Sequence, residues 1–73
     1  METAERDEQI EREDVLREAR KRYNGSWPSL GSVVEGWYKQ AVISLPPKIS
    51  GTDRTNYLIG EIARKRDVYF GKS

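Results

Sequence analysis

Residues 50–66 read SGTDRTNYLIGEIARKR. Leu58, Ile59 and Ile62 recur there at helical spacing, which makes one stripe of a helix apolar. Tyr57, Gly60, Glu61 and Arg64 fall on the other side. Thr52 stands where a side-chain cap is favoured, and Asp53 follows in the first turn, where an acid suits the helix dipole. The spacing predicts a helix from Thr52 to about Arg66. Gly60 costs about 1 kcal/mol against Ala in a helix interior. It serves either close approach by a neighbour or nothing at all. Beyond Arg66, Val68-Tyr69-Phe70 reads as an apolar tail folding back on the core.

Upstream of this helix, Pro46-Pro47 stops any helix before it. Leu30, Val34, Trp37, Ala41 and Leu45 follow helical spacing, with Val33 and Tyr38 flanking. Ser32-Val33-Val34-Glu35 has the form of a capping box, so this helix is expected to start after Ser32. Ile43 falls on its opposite face, which ends it near Val42; residues 41–45 are otherwise a short extended segment. Trp37 is expected in the core. Ser26-Trp27-Pro28-Ser29 reads as a linker, with Trp27 a lid on the core.

A first helix is expected from Val15 to Tyr23, capped by Asp14 and stopped by Asn24-Gly25. Its stripe is Leu16, Ala19 and Tyr23. Carried back along the chain, that stripe meets Arg12 and misses Ile10, so the amphipathic pattern begins near residue 14. Residues 1–14 hold Ile10 as their one large internal apolar residue and read as a flexible acidic arm. The expected architecture is all-α: an arm over 1–14 and a compact three-helix domain over 15–73.

Charge divides the chain at the same place. Residues 1–14 carry seven acids and two bases, whereas residues 15–73 carry five acids and eleven bases. The net charge of +1 therefore joins an acidic segment to a basic one. Such an arm either keeps the chain dispersed, binds a basic partner surface, or folds over the basic body and masks it.

Composition removes most chemistry. There is no His and no Cys, so the usual general base, the thiolate nucleophile and the commonest transition-metal ligands are missing. No phosphate-binding glycine loop or nucleophile elbow is present. The expectation is a non-enzymatic protein with no cofactor, metal or small-molecule substrate. No segment is apolar enough to cross a membrane and the first residues are acidic, so a cytoplasmic location is expected.

Two binding readings remain. Arg17, Arg20, Lys21 and Arg22 form one basic cluster, and Arg64, Lys65 and Arg66 form a second. Phosphates attract such clusters, and Tyr57 or Trp27 would stack on bases. Last-turn Lys and Arg also suit a helix dipole without any ligand. Ile62-Ala63-Arg64-Lys65-Arg66-Asp67-Val68 resembles the first helix and turn of a helix-turn-helix, with Asp67 where the turn glycine usually stands. The implied function is a small DNA-binding regulator of excisionase or repressor type.

The preferred reading is protein binding. Seven aromatics, two of them Trp, are many for so small a core, and Trp, Tyr and Arg anchor interfaces. The expected contact residues are Asp7, Glu8, Glu11 and Asp14 of the arm; Arg17, Arg20 and Lys21; Tyr57 and Arg64; and Tyr69 and Phe70. In size, charge layout and lack of catalytic groups the chain resembles small phage-encoded regulators that bind host RNA polymerase. That resemblance implies docking on a polymerase subunit and inhibited or redirected transcription.

Overall fold

The computed structural model describes the backbone of residues 2–71 and the side chains of residues 8–71. Three helices follow one another: α1, Glu2–Arg22; α2, Gly31–Ile43; and α3, Gly51–Tyr69. There is no strand among the described residues. Each helix packs on both others. None is long and apolar enough to cross a membrane.

The core is built from Val15 and Ala19 of α1, Tyr38 and Ala41 of α2, and Leu58, Ile59 and Ile62 of α3. Leu16, Trp27, Trp37, Val42 and Leu45 close it at the edges. The expected stripe of α3 is therefore the observed one. On α2 the stripe is rotated: Tyr38 is buried, Trp37 is only partly covered and Leu30 is exposed.

Helix α1 departs most from expectation. It begins at Glu2, not at Val15, and Asp14 lies in its interior. Its inward line is Glu11, Val15 and Ala19, four residues apart, while Tyr23 is exposed. An acid heads this line, so an apolar count could not detect it. Glu11 Oε1 accepts from the Tyr38 hydroxyl at 2.7 Å and from Arg54 Nη2 at 2.9 Å, and Oε2 accepts from Arg54 Nε at 2.6 Å. One carboxylate thus joins all three helices. Burial of a Tyr hydroxyl requires a partner, and a bidentate Arg–carboxylate pair holds its geometry well. Residues 8–14 of the expected arm are therefore helical and attached through Glu11. The side chains of residues 1–7 lie outside the described residues.

The helix starts also shift. Leu30, in extended conformation, precedes α2, and no side chain caps it. The Val33 N–H donates to the Leu30 carbonyl at 3.2 Å, closing a first turn that already contains Ser32. Glu35 faces Arg12 of α1 at 3.9 Å instead of reaching back to Ser32. At α3 the residue before the helix is Ser50, again without a side-chain cap, and not Thr52. Gly51 follows at φ 60°, a conformation open to glycine.

The α1–α2 turn is held from α3. Arg66 is 7% exposed; its Nη1 donates to the Tyr23 carbonyl at 2.9 Å and its Nη2 to the Asn24 carbonyl at 3.4 Å. Its guanidinium lies 5.1 Å from the centre of the Trp27 ring, whose Nε1 also donates to the Tyr23 carbonyl, at 3.0 Å. Gly25 at φ 127° brings the turn against Arg66; a Cβ there would sit 3.0 Å from Nη2. Arg66 is thus a structural clamp and not part of a surface basic cluster.

Candidate functional site

Helix α3 does not end at Arg66 but continues to Tyr69, without a turn at Asp67. The helix-turn-helix reading of residues 62–68 fails here, because these residues form one continuous helix. The end is set beyond it: Phe70 N–H donates to the Arg66 carbonyl at 3.1 Å, and Gly71 N–H to that of Val68 at 3.0 Å. Gly71 takes φ 76°, the left-handed conformation common just past a helix end.

This extra turn makes a groove. Trp37 and Gln40 of α2 face Arg64, Lys65, Val68 and Tyr69 of α3 across a depression of about 520 Å³. Lys65 and Tyr69, four residues apart, share one face of the helix. Trp37 meets Tyr69 edge-on with ring centres 5.6 Å apart, and Tyr69 meets Phe70 edge-on at 4.9 Å. Such geometry is favourable for aromatic pairs. The ladder is nevertheless uncovered: Val68 is 65% exposed, Tyr69 55% and Phe70 39%. The apolar tail expected to fold back on the core instead presents itself outward.

Of the two cations of the groove, Arg64 is exposed and Lys65 is half-buried. The Arg64 side chain is 69% exposed, with Nη2 donating to Glu61 Oε1 at 2.6 Å. That contact fixes the side chain from within its own helix. None of the six residues lining the groove is acidic.

Tyr57 lies about two turns before Arg64 on the same side of α3 but is less exposed. It is half-buried, and its hydroxyl donates to the Ser44 carbonyl at 3.0 Å, tying the α2–α3 loop to α3. Gly60 has open space around it, so no neighbour within the chain requires it.

The α1 residues form a separate surface. Arg17 pairs with Asp14 at 3.4 Å, and Arg22 pairs with Glu18 at 3.2 Å while its Nη1 donates to Asn56 at 3.0 Å. Arg20 and Lys21 are exposed. A depression of about 410 Å³ lies among Glu13, Leu16, Arg17, Arg20, Gly31 and Glu35, with both signs of charge along it. Glu8 is exposed; Glu11 is occupied by Tyr38 and Arg54; the Asp7 side chain lies outside the described residues.

Arg54, through its hydrogen bonds, holds the Glu11 carboxyl below its ordinary value of 4.5. Burial, followed by the bond to Glu11, pushes the Tyr38 hydroxyl well above its ordinary value. Both shifts belong to the junction at which the three helices meet. Among the described residues, no group of three or more His, Cys, Asp or Glu is placed to hold a metal ion.

Sequence reasoning picked out Arg64, Tyr69 and Phe70 but assigned Trp37 to the core and missed Gln40. Continuing the helical count past Arg66 would have aligned Lys65 with Tyr69 and put Val68 beside Arg64. No protein-family model, curated protein sequence or solved structure matches this chain.

Proposed function

We propose that this protein works stoichiometrically, docking on a larger protein through the α2–α3 groove and altering what that protein does without bond chemistry of its own. The observation behind this reading is the aromatic ladder Trp37–Tyr69–Phe70, half-buried at Trp37 and exposed at Tyr69 and Phe70, with Arg64 and Lys65 beside it. Aromatics and Arg around a preformed depression are the usual anchors of a protein interface. A transcription complex is the partner class implied by the resemblance in size and charge layout.

The test is affinity capture from lysate of the source cell, with nuclease added, using the wild-type chain beside Tyr69→Ser. The proposal expects one protein species retained by wild type at about 0.15 M salt and lost by the variant. Equal retention by both chains would remove the groove from the account. Loss of every partner on nuclease treatment would instead favour nucleic acid, whose binding falls steeply with salt.

A further inference from the structure

We infer that the α2–α3 groove takes an acidic amphipathic peptide segment, with a large apolar side chain seated against Trp37 and Tyr69 and a carboxylate reaching Arg64 and Lys65. This inference rests on the docking reading above and names the chemistry of the partner.

Charge complementarity carries it. The groove lining contains Arg64 and Lys65 and no acid. The depression beside α1 mixes Glu13 and Glu35 with Arg17 and Arg20, so its charges compensate one another locally. The α2–α3 groove instead joins an apolar floor to Lys65, which makes no ion pair among the described residues, and to Arg64, whose one acidic partner, Glu61, lies outside the lining. Arg64 is held by Glu61 through one nitrogen, and the exposed guanidinium offers further N–H donors in a planar fork suited to a carboxylate. Lys65 adds a second positive charge on the next residue.

The spacing fixes a pattern. Arg64 and Lys65 lie about one helical turn before Val68 and Tyr69 on α3, roughly 5–6 Å along the surface. A ligand lying along this seam must place its carboxylate a similar distance from its apolar anchor. In a helical ligand that means Asp or Glu three or four residues from a Leu, Ile, Phe or Trp. Nucleic acid fits less well. Two cations, one of them already paired with Glu61, neutralise few phosphates.

A random peptide library displayed on phage and panned against the full-length chain tests this directly. Binders are counter-selected on a Tyr69→Ser/Arg64→Glu variant whose circular dichroism matches wild type. The expected outcome is a consensus with an acid three or four residues from a large apolar residue. The consensus peptide, synthesised and titrated, should bind about tenfold more weakly to Arg64→Glu, with partial recovery in Arg64→Lys. It should also weaken as salt rises.

A neutral or basic consensus, no consensus, or a peptide indifferent to both groove substitutions would overturn the inference. So would self-association in sedimentation that Tyr69→Ser abolishes, since a second copy would then be the occupant. Tight binding of a single-stranded DNA oligomer that Arg64→Glu abolishes would also overturn it. If the inference falls while Tyr69→Ser still loses the lysate partner, docking stands and only the acidic chemistry is wrong. If the lysate partner is indifferent as well, both fail.

Discussion

At the residue scale the molecule turns on Glu11. Its two oxygens accept three hydrogen bonds from two other helices. Replacing it with Ala leaves the Tyr38 hydroxyl and the Arg54 guanidinium without their shared acceptor. The expected cost is about 1–3 kcal/mol, toward the lower end because Arg54 is partly solvated. Urea unfolding of Glu11→Ala beside Ile10→Ala measures it. Ile10 is exposed and should change stability little; equal effects at the two positions would contradict the assignment. The same junction sets a pH dependence. The folded carboxyl is depressed below 4.5, so its stabilisation is complete above that pH and is lost as pH falls through the folded value. The folded Tyr38 hydroxyl is raised above 10.0, so its stabilisation is present below that pH and is lost as pH rises past it. Urea midpoints across pH should therefore fall at both ends. Glu11→Gln should flatten the acid limb, and an unchanged limb would show that the depressed carboxyl lies elsewhere.

At the scale of elements, the three helices and the α3 stripe were legible because Leu58, Ile59 and Ile62 are apolar at an unambiguous period. The stop between α2 and α3 was legible because two prolines admit few conformations. The start of α1 was not, because its inward line is headed by an acid. A hydrophobic pattern registers transfer from water, and Glu11 is held by specific partners on other helices that no local window contains. Arg66 was illegible for a related reason. A last-turn Arg suits the helix dipole wherever it points, and only the packed α1–α2 turn reveals that it is buried there. The aromatic end of α3 was read as a tail because Arg64-Lys65-Arg66 resembles a helix terminus. Deleting residues 1–14 separates the two pictures of α1. A detached arm predicts an unchanged unfolding midpoint for residues 15–73. The structure predicts a loss of about 2 kcal/mol or more, since the deletion removes the Glu11 junction and α1 residues N-terminal to Val15. Denaturant midpoints of the two chains decide between them.

At the scale of the whole molecule, the two tryptophans sit in regions with different duties. Trp27 lies under Arg66 at the α1–α2 turn, and Trp37 lines the groove. All three helices are tied through Glu11, Tyr38 and Arg54, and the turn is tied to α3 through Arg66, so the fold should break as one unit. In a chain this small such coupling usually gives two-state behaviour. Trp27→Phe and Trp37→Phe each leave a single emitter. The expected result is that either emitter unfolds in urea together with the helical circular dichroism. Ligand docking, by contrast, should move the emission of Trp37 and leave that of Trp27 still, because a preformed groove binds with little rearrangement of the backbone behind it. Separate unfolding transitions would show that the junction does not couple the helices. A Trp27 response to ligand equal to that of Trp37 would mean that docking repacks the core, and the ladder would then be a hinge instead of a fixed platform.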